Sequence, residues 1–364
     1  MKKFHQPSLP VAIMVLSGFL LAGTTWAKTF DPDIRPGAGV TEHRKLSDYF
    51  APLKGTNLDS DVFILDSGKP GANGLALGGT HGNELAGQVA ALLMVENARV
   101  TNGKLVVISY ANRSAMSMQD TRKQIAQKHI IQSRSGERVL PYGDRRTDPA
   151  DQGVDDPEEY ENPAGYVLKN GAESRNLNRT YPGNPEGTPT EQLAYAIIQL
   201  ILEESIDFSL DMHEANTPER QSKDDGNYSP GGNKRLSYTL VTHPKALEMG
   251  AFSLLSMEED TGISMRLDES NPAYRGLSHL EFGEATGCWS FLSESPNPGQ
   301  DRWRENPDVI SDPKYPLEHR VGLHMRLFLN IAGAYADYHD KALIIEGLPG
   351  YQDLMDKGVG QFLN

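Results

Sequence analysis

The sequence predicts an α/β protein in which helices cover both faces of a mixed, largely parallel sheet, so that the chain forms three layers. Two observations support this fold class. Short runs of β-branched or aliphatic residues, bounded by turn residues, are typical of buried strands, and they occur at residues 61–65, 74–79, 105–109, 208–213, 238–242 and 288–292. A helical pattern separates the second run from the third, and this order is typical of a crossover unit with two parallel strands.

Four helices are predicted around these strands. The best-marked helix begins after Thr188, because Thr188 can cap it, Pro189 suits the first helical position and Glu191 completes a capping box. The other helices are predicted at residues 85–96, 246–257 and 317–339, and residues 268–287 are predicted to form a loop.

The first 27 residues have the features of an export signal peptide. Lys2 and Lys3 make the N-terminal region positive, residues 11–23 are apolar, and Thr25-Trp26-Ala27 resembles a cleavage site between small residues. We therefore expect a mature chain that begins at Lys28 and is periplasmic or secreted. The alternative is a membrane anchor, but the apolar run is too short to span a bilayer comfortably and no cysteine follows it to carry a lipid.

Residues 28–364 are predicted to form a single domain with long loops at 133–166 and 216–234. The 35 glycines and 23 prolines of the sequence point to many loops, and loops of this length are usually functional or mobile. The lone Cys288 cannot form an internal disulfide, and it is best explained as a small buried apolar residue.

The charge of the chain argues against nucleic acid or an anionic membrane as a partner. Removing Lys2 and Lys3 leaves 33 of the 35 basic residues against 49 acidic ones, a net charge of −16. Such a surface repels phosphate groups. After signal cleavage, no membrane association is expected.

Two histidines and a glutamate have the chemistry and the placement of a metal site. His81 and Glu84 follow the strand 74–79, and their spacing puts both side chains on one side of an opening helical turn. His213 ends the strand 208–213. Because ligands of open α/β sheets lie beyond the carboxyl ends of the strands, the two histidines can meet at one sheet edge. Imidazole and carboxylate groups bind zinc at about 2 Å, and three protein ligands with one open position are typical of catalytic zinc.

Each of these residues also has an ordinary structural explanation when taken alone. Glu84 at a helix N-terminus is favoured by the helix dipole, and His213 could be a buried histidine bonded to the backbone. Asp211 lies two residues before His213 on the same strand face and is a candidate partner for it.

Four motifs in a fixed order carry a family resemblance. They are GGTHGNELAG (78–87), NLNRTYPG (176–183), DMHEA (211–215) and SESPNPG (293–299). This set resembles the succinylglutamate desuccinylase/aspartoacylase branch of the zinc carboxypeptidase superfamily, over roughly residues 60–340. The resemblance implies that residues 28–364 form a zinc-hydrolase catalytic domain, and that one zinc ion is bound by His81, Glu84 and His213.

The resemblance also implies roles for residues outside the metal site. Glu294 would be the general base that activates the water at the zinc and then protonates the leaving nitrogen. The rivals for this role are Glu281 and Glu284, which lie in the predicted loop 268–287 and not after an apolar strand. Asn178 and Arg179 would grip a substrate carboxylate, which matches the planar fork of arginine. A further arginine usually polarises the scissile carbonyl in this family. Tyr274 lies at a spacing before Glu294 that suits the carboxypeptidase tyrosine. The candidates for the further arginine, among which the sequence does not choose, are Arg145, Arg146 and Arg175.

Two features depart from the desuccinylase and aspartoacylase pattern. Only 70 residues follow Glu294 in the 364-residue chain, so the extra C-terminal β-domain of those enzymes is expected to be missing. The long insertion between Glu84 and Asn178 gives a ligand spacing more like that of a carboxypeptidase that cleaves peptides.

The sequence therefore predicts a zinc-dependent hydrolase that cleaves an amide bond adjacent to a free carboxylate, with two substrate classes open. One is an N-acyl amino acid, as for a deacylase of the desuccinylase/aspartoacylase type. The other is the C-terminal residue of a peptide or cell-wall peptide, as for a metallocarboxypeptidase. A different class is a non-catalytic, zinc-holding periplasmic binding protein. Such a protein needs no base, so Glu294 after an apolar strand argues against it.

Overall fold

An eight-stranded sheet forms the centre of the computed structural model, which describes Met1 and residues 30–118, 125–219, 236–301 and 303–364. The predicted signal peptide (1–27) and most of the predicted loop 216–234 lie outside the described residues. Within the described ranges, no helix is both long enough and apolar enough to cross a membrane.

The sheet is mixed and largely parallel, as predicted. In chain order its strands are β1 (Glu42–Lys45), β2 (Asp61–Asp66), β3 (Asn73–Leu77), β4 (Lys104–Ile108), β5 (Phe208–Ala215), β6 (Thr239–Thr242), β7 (Arg266–Glu269) and β8 (Trp289–Pro296). Their order across the sheet is β1-β2-β4-β3-β5-β8-β6-β7. The four central strands are parallel, whereas β2 is antiparallel to β4 and β6 is antiparallel to β8.

Helices cover both faces of this sheet, which confirms the three layers. The helices are α1 (Leu85–Asn97), α2 (Arg113–Ser117), α3 (Pro149–Gln152), α4 (Pro189–Glu203), α5 (Leu247–Thr261), α6 (Ser278–Thr286), α7 (Leu317–His339) and α8 (Tyr351–Lys357). Side chains alternate along β3, so that Ala76 packs in the core with α1 and α7, while Leu75 and Leu77 pack in the core with α4 on the opposite face.

The predicted capping box at the start of α4 is present. The Thr188 hydroxyl accepts a hydrogen bond from the Glu191 amide, and the Glu191 carboxylate accepts one from the Thr188 amide at 2.8 Å. The crossover from β3 through α1 to β4 also has the predicted parallel pairing. These elements were predictable because each depends on local signals.

Two segments that the sequence predicts to be loops contain regular structure. The segment 133–166 includes one strand of a hairpin (Lys128–Ser133 with Gly136–Pro141), the helix α3, and half of a small hairpin (Tyr160–Glu161 with Val167–Leu168). The loop prediction for 268–287 is wrong, because α6 occupies residues 278–286. Half of the buried residues of α6 are polar or charged, so the helix has no continuous apolar stripe that a sequence pattern would reveal.

Candidate metal centre and active site

The predicted site residues meet where the carboxyl ends of β3, β5 and β8 lie side by side. His81 and Glu84 follow β3 and precede α1, whereas His213 is the third residue from the C-terminal end of β5. Glu294 is paired in register with His213 across the parallel strands β5 and β8, so both side chains are on the same face of the sheet. The shared sheet edge that the sequence predicts is therefore present.

Two glycines of the first motif allow the segment after β3 and helix α1 to lie close to β5. Gly79 turns the chain after β3 with a φ of +72°, a backbone conformation that residues with a side chain rarely adopt. At Gly87, a Cβ atom would lie only 2.1 Å from the carbonyl oxygen of Met212. Helix α1 can therefore lie directly against β5, next to His213.

Three ligand atoms converge at this edge. Glu84 Oε1 is 2.7 Å from His81 Nδ1, and Glu84 Oε2 is 2.7 Å from His213 Nδ1. The two Nδ1 atoms are 3.2 Å apart. One ligand atom from each residue lies within 4.8 Å of those of the other two, and all three side chains are buried. These atoms are close enough to bind one ion.

Each imidazole ring is oriented by a hydrogen-bond partner at its Nε2 atom, on the side away from Glu84. His81 Nε2 lies 2.9 Å from Asn176 Oδ1, and His213 Nε2 lies 2.9 Å from Asp211 Oδ2. Because both partners are oxygen acceptors, each Nε2 carries a hydrogen, and Nδ1 is the nitrogen that faces Glu84. The contact between Asp211 and His213 is the one that the strand spacing suggested.

Burial and neighbouring charges set the protonation of the triad. Burial, with Arg145 nearby, lowers the pKa of His81 to about 4. Burial alone would raise the pKa of Glu84, but the two histidines hold it well below its ordinary value. For His213, burial is outweighed by Asp211 and Glu84, which raise its pKa well above the ordinary value. A neutral His81 and an ionised Glu84 are the forms that bind a metal, and binding at His213 would release its Nδ1 proton.

The chemistry of these atoms fits zinc. The unprotonated Nδ1 of His81 lies 2.7 Å from a carboxylate oxygen, so two lone pairs face each other at hydrogen-bond distance. A divalent cation held by both atoms would replace this repulsion with attraction. Two imidazoles and one carboxylate are a donor set that zinc uses in catalytic sites.

Glu294 lies close to this centre, and within the described part of the chain one of its carboxyl oxygens is left without a partner. Its side chain is partly buried, and its Oε2 atom has no hydrogen-bond partner among the described residues. Burial outweighs the opposing charge of His213 and raises the pKa of Glu294 to about 8, so without a metal the group holds a proton at neutral pH. A cation bound at the triad would lower this pKa and leave a carboxylate that can accept a proton.

The three candidate arginines have different surroundings. Arg145 Nη1 lies 3.5 Å from Glu84 Oε1. Arg146 forms an ion pair with Glu173, and Arg175 is held by two bonds to Asp156 at 2.7 and 2.8 Å. Of the three guanidinium groups, that of Arg145 is the one in contact with a residue of the triad.

Asn178 and Arg179 lie beside the triad. Asn178 is buried, its Nδ2 is 3.4 Å from His213 Nε2, and its Oδ1 accepts a hydrogen bond from the Ser278 amide at 2.8 Å. Arg179 donates to the carbonyl of Asn178 at 2.6 Å, and its guanidinium carbon is 5.5 Å from the ring centre of Tyr274. The predicted tyrosine is therefore next to the predicted carboxylate-binding arginine.

Sequence reasoning missed Glu173. Glu173 lies in the first of two 3-10 turns, Gly171–Arg175, and Asn176, whose backbone is extended, joins this turn to the second, Leu177–Arg179. Burial acts to raise the pKa of Glu173, but Arg179, Arg146 and Arg145 lower it to about 2, so it is ionised at neutral pH. No sequence pattern marks such a junction, so no signal pointed to Glu173.

The rival carboxylates, Glu281 and Glu284, lie on α6 and contact residues outside the triad. Glu281 accepts two bonds from Arg275, both at 2.7 Å, and Glu284 is exposed and lies 3.1 Å from His243 Nε2. The sequence placed both in a loop, whereas both lie on a helix.

The comparisons with known proteins concern structure alone, since no protein-family model and no curated protein sequence matches the chain significantly. The structure is similar to a succinylglutamate desuccinylase/aspartoacylase from Rhodobacter sphaeroides, with 18% identity over 87% of this chain and 69% of that chain, and a TM-score of 0.44. It is also similar to the apo form of the cell shape determinant protein Csd4 from Helicobacter pylori, with 13% identity over 82% of this chain and a TM-score of 0.49.

A third similar structure is Csd4 bound to mDAP, which is described as a D,L-carboxypeptidase, with 14% identity over 79% of this chain and a TM-score of 0.45. The chain spans 56 to 60% of the length of these two Csd4 structures. A desuccinylase and a carboxypeptidase are thus both among the proteins that it resembles in structure.

Proposed function

We propose that this chain is a zinc-dependent hydrolase that cleaves an amide bond adjacent to a free carboxylate. The observation that carries the proposal is the convergence of His81, Glu84 and His213 within 4.8 Å of one another, with Glu294 in register on the neighbouring strand. A zinc ion held by these three residues would supply a Lewis acid that polarises a carbonyl and makes a water molecule acidic near pH 7.

We assign roles to the surrounding residues, and their positions support these assignments. Glu294 takes a proton from the attacking water and delivers it to the leaving nitrogen, which requires a carboxylate that is not already held by a cation. Arg145, beside Glu84, stabilises the negative charge that develops on the scissile carbonyl oxygen. Arg179 and Asn178 bind the free carboxylate of the substrate, because the guanidinium fork matches its two oxygens.

Replacing Arg179 with alanine is expected to raise KM about 10- to 100-fold, since a hydrogen bond to a charged group contributes about 1.5–3 kcal/mol. Steady-state kinetics with the best substrate would measure this change. Arg99→Ala is the matched control, because Arg99 is an exposed arginine paired with Glu346. Converting the substrate carboxylate to an amide should raise KM for the wild type. The same conversion should not raise KM further for Arg179→Ala. An unchanged KM in Arg179→Ala would contradict the assignment.

N-acyl amino acids are the first substrate class, because the sequence motifs are those of the deacylase branch. Peptides and cell-wall peptides are the second class, because the long insertion between Glu84 and Asn178 is more like that of a carboxypeptidase. One contact of this insertion supports the second class. Tyr166, from the insertion, meets Tyr274 edge to face at 4.9 Å, and Tyr274 lies over Arg179. The insertion therefore reaches the residue that binds the carboxylate.

A mass-spectrometric screen of the zinc-loaded protein tests the function and separates the two classes. N-acyl amino acids and cell-wall peptides should be offered together, with a chelator-treated sample as the control. Cleavage that disappears with the chelator and returns with zinc supports the hydrolase. If the zinc-loaded protein binds but cleaves neither class, the chain is a zinc-holding binding protein.

We further propose that the protein is exported and that its signal peptide is removed after Ala27. Intact-mass measurement of the exported protein is expected to show a chain that begins at Lys28. A chain that retains residues 1–27 in the membrane fraction would instead support the anchor.

A further inference from the structure

One side-chain amide lies between a metal ligand and a charged carboxylate. Asn176 Oδ1 is 2.9 Å from His81 Nε2 and also accepts a hydrogen bond from the Asn178 amide at 3.1 Å. Asn176 Nδ2 donates to Glu173 Oε2 at 2.7 Å. The contacts therefore run in a line from Glu173 through Asn176 to His81.

The orientation of this amide decides which nitrogen of His81 is available to a metal. If the oxygen of Asn176 faces Nε2, then Nε2 must carry the hydrogen and Nδ1 is free to bind. If the NH2 group faced Nε2, the hydrogen would move to Nδ1 and the metal would lose a ligand. Asn176 alone does not select between these orientations, because its two ends have nearly the same shape.

The Asn178 amide, which can only donate, favours the oxygen end, and Glu173 completes this selection because an ionised carboxylate can only accept hydrogen bonds. It attracts the NH2 end of Asn176 and so turns the oxygen towards His81. Glu173 is itself held by an ion pair with Arg146, and Arg179 Nε lies 4.0 Å from its other side. Its side chain is only 15% exposed, so water does not readily replace it.

We propose that Glu173 is a positioning residue for the metal centre, which orients Asn176 so that His81 presents Nδ1 to the metal. The inference rests on the proposed zinc site. Glu173 touches neither the metal position nor the reacting atoms. The carboxylate of Glu173 also lies 4.0 Å from Arg179, the residue proposed to bind the substrate carboxylate, so Glu173 supports both parts of the site.

Replacing Glu173 with alanine is expected to weaken zinc affinity about 10- to 100-fold, the usual effect of losing an outer partner of a metal ligand. Competition with a chromophoric chelator measures this affinity without any substrate. In the metal-free protein, 15N chemical shifts should show a hydrogen on Nε2 of His81 in the wild type and a mixture of the two tautomers in Glu173→Ala.

A second substitution in the same chain separates orientation from simple structural damage. In the double variant Glu173→Ala/Asn176→Asp, the aspartate accepts from His81 through either oxygen, so nothing needs to orient it. Zinc affinity and the Nε2 tautomer are expected to return to near the wild-type values. Asp156→Asn is the matched control, since Asp156 also pairs with an arginine of this segment, Arg175, but does not contact Asn176 or His81.

Three results have distinct meanings. Unchanged zinc affinity in Glu173→Ala overturns the inference. Weakened affinity that the double variant does not restore also overturns it, since the loss then comes from charge or packing. A wild-type protein that binds no zinc refutes the proposed function itself.

Discussion

Replacing Glu294 with glutamine is expected to lower kcat by about 100- to 10,000-fold, the usual contribution of a general base. Glutamine has nearly the same shape but cannot take a proton from water. Zinc content should remain at one ion per chain, because the triad does not include Glu294. Steady-state kinetics at saturating substrate, together with elemental analysis of the metal, measure both quantities.

The control for this variant is Glu284→Gln. Glu284 is the exposed carboxylate of α6 that sequence reasoning kept as a rival base, and its contact is with His243 rather than with the triad. Its kcat should be that of the wild type. If Glu294→Gln turns over at the wild-type rate, another group is the base; if it loses zinc, Glu294 is part of the metal centre instead.

Replacing His213 with alanine is expected to abolish stoichiometric zinc binding and, with it, hydrolysis. Two ligands would remain, and the carboxylates of Asp211 and Glu84 would lose the imidazole that lies between them. In the wild type, free zinc at 100 times its Kd should stabilise the fold by about 2.7 kcal/mol. This stabilisation should be absent from the variant in thermal or denaturant unfolding.

His43→Ala is a suitable control because His43 lies on β1, is half exposed and contacts Asp61. It should bind zinc as the wild type does. Since His213→Ala removes a buried side chain and could unfold the protein, His81→Gln provides a second variant with a smaller change in volume. Full zinc occupancy in either folded variant would contradict the proposed triad.

Local patterns were enough to predict the parts of the site that belong to strands and to the first helix. Of the two proposed ligand histidines, His81 follows an apolar strand and His213 lies near the end of one, so the parallel arrangement of β3 and β5 brings them to one edge. The capping box at Thr188 and the three-residue spacing of His81 and Glu84 are similarly local. Helix α1 begins at Leu85 as predicted, but His81 and Glu84 precede it and are joined by a hydrogen bond from the Glu84 amide to the His81 carbonyl rather than by a helical turn.

Parts of the site that depend on side-chain orientation were not predictable. Nothing in the sequence distinguishes Arg145 from Arg146, its neighbour, because their different partners come from residues far along the chain. Glu173 contacts Asn176 where an extended residue joins two 3-10 turns, and no sequence pattern marks such a junction. Helix α6 was missed because its buried face carries His279 and Glu281 among its apolar residues.

The register between β5 and β8 has a consequence for the chemistry. His213 and Glu294 sit opposite each other on two hydrogen-bonded backbones, so their separation is set by the repeat of the sheet and not by the packing of nearby loops. In the proposed enzyme, changes in the insertion can therefore alter substrate choice while the two backbones that carry the imidazole of His213 and the carboxylate of Glu294 keep the same separation.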